Sequence, residues 1–492
     1  VDGADPVTAA GRAVATSGRA VVVSGCTVIV ALAGLYVSQV SFIGKLGVAA
    51  AVTVVTAVIG AITLVPALLG LVGRRIDCYH VRKPVAEGLP ALRAGGTRPG
   101  SARQVRTRQA GTRRSAEAQG TWHRYAQRVE RRPWWFLLAG LVAVGVLAIP
   151  VFSIRLGHID DGADPRSFTD RRAYDLITEG FGPGANGPFL LVVDQSRVPR
   201  AGRPALAASL TEALTDVPGA AGISPLRPTG DGQVLTATAV SATSPQSAGT
   251  SALFSRLKDD VLPRGVSGTA ATTYVTGATA AAEDFLDIIR ARLPLIIGVV
   301  VALAFLIILV VFRGLLVALK AAVLNLLSIA ASYGVLVAVF QWGWGGPALG
   351  ISGTVPIESY VPMMMFAIVF GLSMDYEVFL LARVHESWLL TGDSRAAVAH
   401  GLEITARVIT CAALIMASVF AAFILSDNIV VKMLGLGLAV SVLIDATIVR
   451  LLLVPAVMTL LGARAWWLPR RLDREQDWYR FRNRYRDAGN QP

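Results

Sequence analysis

Eight apolar stretches constrain this chain more than any other feature, because at about 20 residues each is long enough to cross a bilayer. The stretches lie near residues 20–37, 46–72, 134–153, 292–312, 315–340, 359–382, 404–425 and 430–461. With 53% hydrophobic and only 16% charged residues, the chain is more apolar than soluble domains usually are. The sequence therefore predicts a polytopic α-helical membrane protein with eight transmembrane helices.

The Lys and Arg residues beside these stretches predict a topology. The connections at 341–359 and 426–430 contain neither residue, whereas basic residues flank the opposite ends of the stretches: Arg12, Arg19, Arg313, Lys320, Arg383, Arg395 and Arg407. Because basic residues mark the cytoplasmic side of a membrane protein, both ends of the chain are predicted to be cytoplasmic. The sequence thus predicts a multi-pass protein of the cell (inner) membrane whose hydrophilic block at 154–290 lies on the extracytoplasmic side.

The outer block contains patterns of both strands and helices. The β-branched runs FLLVVD (189–194) and VLTATAVSA (234–242) are typical of strands, and ALAASLTEALTDV (205–217) has helical spacing. Its length of about 130 residues is usual for one domain. We therefore expect one extracytoplasmic α/β (α+β) domain between the spans.

A second hydrophilic block, at 74–132, holds about 15 Lys and Arg residues against about four acids and contributes most of the net charge of +13. Because it lies between two apolar stretches, we interpret it as a cytoplasmic linker that contacts anionic membrane lipids, and not as a nucleic-acid-binding segment. Residues 84–120 have a composition typical of disorder. Residues 121–135 are predicted to form an amphipathic helix at the interface, with Trp134 and Trp135 at the headgroups.

The chain contains an internal repeat. Residues 5–25 resemble residues 393–413, and residues 45–73 resemble residues 433–462. Duplicated halves are a known plan of transporters. We therefore interpret the chain as the second half of a duplicated protein together with the end of its first half, and expect about four spans and one outer domain to be missing.

Asp375 lies inside an apolar stretch, in FGLSMDYEVFLLARVHE (370–386), roughly 12 Å along the helix from Arg383. An ionised carboxylate there costs at least about 2.5–3.5 kcal/mol, so it must face the helix bundle or a wet path. Such a carboxyl can take up a proton from one side and release it to the other, and Tyr376 can donate to it or pass a proton. The alternative is an aspartate that only fixes helix packing.

Three further polar residues lie in the apolar stretches. Glu377 points to a different face from Asp375 and nearer the inner end, where carboxylates often pair with basic neighbours, so we interpret it as structural. Asp445 is a second intramembrane acid, for which a functional role and a packing role both stay open. Arg450 follows it by five residues, an imperfect spacing for partners on one helix, so either can pair elsewhere.

Several motifs in the same order resemble the MMPL family, the "mycobacterial membrane protein large" transporters of the resistance–nodulation–division (RND) superfamily. They are FGLSMDYEVFLLARVHE (370–386), DATIVRLLLVPA (445–456), the segment 312–345 and EGFGPGANGPFLLVVD (179–194). The resemblance covers nearly the whole chain apart from the basic linker. It implies an RND-type fold of twelve helices in two duplicated halves, with porter domains after the first and seventh spans.

The resemblance also implies a function and a set of residues. Members of the family export lipids or other hydrophobic compounds, driven by protons that pass through Asp-Tyr pairs on the fourth and tenth spans. Asp375 and Tyr376 match the tenth-span pair, Asp445 matches an aspartate of the twelfth span, and the fourth-span pair is absent from this chain. Candidate supports of this proton relay are Ser17 and Ser24, at the start of the fifth span, and Ser373.

The resemblance divides the chain into six expected parts. They are two spans that end the first half (1–73), the basic linker (74–132), one span (133–153), the porter domain (154–290), five spans with the relay (291–462) and a basic cytoplasmic tail (463–492).

The sequence shows no pattern typical of an enzyme or of a cofactor site. It has no nucleophile–base arrangement, phosphate-binding glycine loop or metal-ligand spacing, and its five histidines are scattered. The expected partners are a lipid or hydrophobic small-molecule cargo, protons, the missing N-terminal half and a second copy in a homo-oligomer. The alternative function is that of a non-transporting relative on the same architecture, either sterol-sensing-like or an inactive remnant.

Overall fold

A computed structural model describes residues 11, 18, 21, 22, 25–72, 121–351 and 353–467. Ser17 and Ser24, the predicted disordered part of the linker and the tail beyond residue 467 lie outside the described residues.

Seven helices of the described chain are long and apolar enough to cross a membrane, and α1 (Gly25–Tyr36) is a shorter apolar helix within the first predicted span. The seven coincide with the other predicted stretches, so the chain folds as a polytopic helical membrane protein. They are α2 (Ser41–Val72), α4 (Pro133–Ser153), α8 (Ala278–Phe312), α9 (Leu315–Gln341), α10 (Val361–Leu389), α11 (Ser394–Leu425) and α12 (Ile429–Trp466).

The bundle has a buried centre and an exposed periphery. Of an apolar stretch of 18 residues in each helix, 67% is buried in α9 and 71% in α10, against 0% in α2. At Gly334 of α9, a Cβ atom would overlap the carbonyl oxygen of Leu147 in α4, so only glycine allows this approach of the two helices. Polar side chains on the buried faces of α9 and α10, such as Lys320 and Glu377, therefore lie in the protein interior, where they need partners.

Helix α8 differs from its predicted limits. It begins at Ala278, because residues 278–291 contain no Gly or Pro that would interrupt a helix. The predicted domain boundary at residue 290 therefore falls inside one continuous helix that runs from the outer block into a span.

A short parallel ladder joins α4 to α10. After α4, strand β1 (Leu156–Gly157) pairs with β7 (Ile357–Glu358). Two residues separate β7 from the start of α10. The backbone that leads from α4 into the hydrophilic block at 154–290 is thus hydrogen-bonded to the segment just before α10.

The block between α4 and α8 contains three helices and five strands. They are α5 (Thr169–Phe181), β2 (Phe189–Asp194), α6 (Arg203–Ala213), β3 (Ala220–Ile223), β4 (Arg227–Pro228), β5 (Val234–Ser241), α7 (Ala248–Arg256) and β6 (Thr272–Thr276). The strands form an antiparallel sheet in the order β3–β5–β2–β6, with β4 paired to β5. Alternate residues of β5 are buried, because one face of the sheet packs on helices. The structure confirms the predicted strands at β2 and β5 and the helix at α6.

The helix predicted after the linker is present as α3 (Thr121–Arg131). It does more than lie at an interface: Ala126 is buried in one apolar cluster with Leu402 and Ala406 of α11. Trp134 and Trp135, at the start of α4, remain 68% and 70% exposed. Helix α3 is therefore a packed part of the bundle.

Candidate functional site

Four charged side chains meet in the interior of the bundle. Lys320 belongs to α9, Glu377 to α10, and Asp445 and Arg450 to α12, with exposed fractions of 7%, 1%, 4% and 0%. Burying an unpaired charge costs several kcal/mol, so groups buried to this extent are stable only when they neutralise one another.

Ion pairs join these four side chains into one network. The Lys320 ammonium donates to Oε1 of Glu377 at 2.5 Å, and Arg450 Nη1 lies 3.6 Å from Oε2 of the same carboxylate. Arg450 Nε donates to Oδ2 of Asp445 at 2.8 Å. Two cations thus face two carboxylates, and the network is neutral when all four groups are ionised.

The backbone of α12 explains why Asp445 and Arg450 pair although they are five residues apart. Residues Asp445–Leu453 form a π-helix, whose hydrogen bonds run from residue i to residue i+5. That geometry brings residues five apart close together, whereas an α-helix does this for residues three or four apart. The spacing that is imperfect for an α-helix is therefore suitable here. Segments of π-helix occur often at functional sites.

Neutral polar groups complete the surroundings of Arg450. Its Nη2 donates to the backbone carbonyl of Ser373 and lies 3.0 Å from the Ser373 hydroxyl. That hydroxyl donates to Oδ1 of Asn325 at 2.7 Å, which links α10 to α9. Oδ1 of Asp445 is buried without a hydrogen-bond partner among the described residues.

The structure brings some of the sequence-predicted residues together at Arg450. Asp445 and Ser373 bind its guanidinium. The ring of Tyr376 faces the same group, and Cζ of Arg450 lies 5.3 Å from the centroid of that ring. The Tyr376 hydroxyl donates to Sδ of Met416 at 3.4 Å. Asp375 lies on α10 between Ser373 and Glu377, and its side chain is outside the part of the chain that the structure describes.

Three members of the network were not among the predicted site residues. Lys320 was predicted to be a basic flank of a span, yet it lies six residues into α9 and pairs with Glu377. Glu377 was interpreted as structural, and Arg450 was left without an assigned partner. The sequence signal that could have identified the two bases is that neighbouring spans contain acids, which need cations when they are buried.

A second polar contact lies outside the spans, at the β1–β7 ladder. Glu358 is buried and accepts the backbone N–H of Ile159 at 2.9 Å, while His158 Nδ1 lies 3.3 Å from its Oε2. The hydrogen bond to Glu358 raises the pKa of His158 above its usual value, although partial burial acts in the opposite direction. Nearby Asp160 and Asp161 add to this rise.

The His158–Glu358 contact predicts a pH dependence of stability. Because the folded-state pKa of His158 is raised, its contribution is complete below about pH 6.5 and is lost as the pH rises through that raised pKa. The His158 side chain is 61% exposed, so we expect less than about 1 kcal/mol, measured as a lower thermal midpoint at alkaline pH. Glu358→Gln keeps an acceptor for Ile159 but should reduce this pH dependence, because Glu358 is the main cause of the raised pKa of His158. An unchanged pH dependence in that variant would contradict the assignment.

Comparisons with known proteins identify relatives over most of the chain. The chain is 37% identical over 370 residues to the mycolic acid-containing lipids exporter MmpL11 of Mycolicibacterium smegmatis, covering 74% of this chain and 38% of that protein. It is 36% identical to the heme uptake protein MmpL11 of Mycobacterium tuberculosis H37Rv, covering 95% of this chain and 46% of that protein. It is 30% identical to the trehalose monomycolate exporter MmpL3 of M. tuberculosis CDC 1551, covering 95% and 50%.

The chain spans half the length of these three relatives or less. The model of the MMPL family matches residues 1–135 and 213–488, which include all four charged residues of the buried network and most of the spans. On this match and on its identity to the relatives, the chain belongs to the MMPL family.

Proposed function

We propose that this chain belongs to a transporter that exports lipids or other hydrophobic compounds across the cell membrane, driven by the proton-motive force. The observation that carries the proposal is the network of Lys320, Glu377, Asp445 and Arg450, buried between three spans. Intramembrane ionisable groups that face a bundle interior are typical of proton pathways.

The charge balance of the network supports a proton site. Lys320 and Arg450 are the buried basic residues of the described chain, and Glu377 and Asp445 already neutralise them. Asp375 is a further acid of these spans, two residues from Glu377 in the sequence. Because the two buried cations are already neutralised, Asp375 is in this proposal the acid that binds and releases the transported proton. Asp375, Tyr376 and Asp445 form the relay in this proposal, and Ser373 orients it.

The β1–β7 ladder offers a path from the relay to the outer domain. It pairs the segment that leads from α4 toward the five-stranded sheet with the strand that precedes α10, the helix that carries Asp375 and Glu377. A proton that shifts α10 moves β7, and the hydrogen-bonded β1 follows. In this proposal the five-stranded sheet belongs to an extracytoplasmic porter domain, the chain forms eight spans, and both ends are cytoplasmic.

The proposed cargo class rests on the relatives. Two of them are named as exporters of mycolic acid-containing lipids and of trehalose monomycolate, and another as a heme uptake protein. Each of these cargoes has a large apolar part, so we assign this chain a lipidic or hydrophobic cargo. The other proposed partners are an N-terminal half with the second Asp-Tyr pair, anionic lipids at the basic linker and a second copy of the protein.

Asp375→Asn, introduced into the protein expressed from its own gene, tests the proposal. Asparagine keeps the size of the side chain but cannot take up and release a proton, so export should fall to the level of a gene deletion. The measurement is the profile of hydrophobic compounds inside and outside the cells. Asp427→Asn, at an exposed acid just before α12, is the matched control and should export normally.

Two outcomes of this experiment would contradict the proposal. Export that keeps its full dependence on the proton gradient in the Asp375→Asn cells would exclude the relay. Identical profiles of wild-type and deletion cells would favour the alternative, a non-transporting relative on the same architecture.

A further inference from the structure

A hydrogen bond connects α3 to the π-helical segment that carries the buried ion pair. The Tyr125 hydroxyl donates to the backbone carbonyl of Leu451 at 2.9 Å. Leu451 directly follows Arg450 and belongs to the segment Asp445–Leu453. The contact joins residues 326 positions apart in the chain, so it is a tertiary feature and not part of the local helix.

The carbonyl of Leu451 can accept a hydrogen bond from Tyr125 in addition to one from its own helix, because a carbonyl oxygen has two lone pairs. In the π-helical pattern of this segment the local donor is the N–H five positions later, that of Ala456. Inside a membrane protein, where water is scarce, backbone carbonyls depend on donors from the protein itself. The Tyr125 hydroxyl supplies such a donor from a different helix, α3.

Tyr125 is held firmly enough to act as a fixed donor. Its ring packs edge-on against Phe136 at a centroid distance of 6.0 Å. The neighbouring Ala126 and Val129 are 3% and 1% exposed, which anchors α3 on the bundle. Burial raises the pKa of Tyr125 to about 12, so its hydroxyl keeps its proton and remains a donor at physiological pH.

We propose that Tyr125 is a positioning residue that keeps the π-helical segment in the register in which Arg450 binds Asp445 and Glu377. Through the hydrogen bond to Leu451, α3 fixes the peptide next to Arg450. Without that bond, the peptide next to Arg450 can shift, which weakens the contacts of the guanidinium with Asp445 and Glu377. The link between this register and export rests on the proposed function, whereas the link between Tyr125 and the ion pair does not.

Tyr125→Phe tests the inference in the protein expressed from its own gene and kept in native membranes. The probe is a hydrophobic carbodiimide, which reacts with protonated carboxyl groups in apolar surroundings and not with carboxylates that are paired with a cation. We expect labelling of Asp445, read by mass spectrometry, to rise about two- to tenfold at neutral pH, the range set by the loss of one hydrogen bond. Tyr274→Phe, on the exposed face of β6, removes a hydroxyl without this contact and should leave labelling unchanged.

Wild-type labelling of Asp445 in the Tyr125→Phe protein would overturn the inference. An equal rise in Tyr125→Phe and Tyr274→Phe would also overturn it, because the effect would then not depend on the contact with Leu451. The labelling needs neither cargo nor a proton gradient, so these outcomes are independent of the Asp375→Asn test.

Discussion

Replacing Arg450 by glutamine is expected to destabilise the protein by about 3–5 kcal/mol, because it leaves a buried carboxylate without its cation. Arg450 has no exposed surface, and its guanidinium binds Asp445 and the carbonyl of Ser373. Glu377 keeps Lys320 in this variant, but Asp445 keeps no basic partner among the described residues. The free energy of unfolding can be measured by SDS titration in mixed micelles.

Two further variants show whether this loss comes from the buried charge. The double change Asp445→Leu and Arg450→Met removes both partners and should recover most of the stability, since well-packed apolar residues often replace buried pairs without loss. Arg383→Gln breaks the ion pair with Glu386, whose side chains are 37% and 61% exposed, and should cost less than about 1 kcal/mol. Equal losses in Arg450→Gln and Arg383→Gln would contradict the assigned network.

The second large effect is expected when the charges of Lys320 and Glu377 are exchanged. For an isolated ion pair, the double change Lys320→Glu and Glu377→Lys would restore the attraction. Here Arg450 Nη1 lies 3.6 Å from Glu377, so a lysine at 377 would face a guanidinium. Two like charges at about 4 Å repel by roughly 4 kcal/mol at an effective dielectric constant near 20. We therefore expect the exchanged protein to unfold more easily than wild type by several kcal/mol.

The matched control for the exchange is the neutral pair Lys320→Met and Glu377→Gln. It removes one cation and one anion together and leaves Arg450 with Asp445, so its free energy of unfolding should stay within about 2 kcal/mol of wild type. Thermal unfolding of the three proteins in one detergent compares them directly. Wild-type stability of the exchanged protein would show that Lys320 and Glu377 form a pair independent of Arg450.

Local patterns in the sequence predict the elements of this fold well. Apolar stretches identify the spans because membrane-spanning helices need about 20 apolar residues, whatever surrounds them. The strands β2 and β5 follow from their β-branched residues, and α3 follows from its amphipathic spacing. Helix limits such as that of α8 were predicted less well, because polar ends of a span carry no apolar signal.

The candidate site was predicted only in part, for a physical reason. A single acid inside an apolar stretch indicates a special position, and this identified Asp445 along with Asp375 and Tyr376. Its partner cannot be identified in the same way, because buried charges pair through space, across helices far apart in the chain. Lys320 illustrates the limit: near the start of an apolar stretch it is typical of a cytoplasmic flank, and only the packing of α9 against α10 turns it into the partner of Glu377.

The sequence by itself determined that this protein is a polytopic helical membrane protein of the MMPL family and that its spans contain acids needing partners. Only the tertiary structure decided which bases neutralise those acids, and that Asp445 and Arg450 meet through a π-helical backbone. It also decided that a tyrosine 326 residues away donates to the Leu451 carbonyl, next to Arg450. Hydropathy is a property of each segment alone, whereas charge pairing and backbone register depend on which helices pack together.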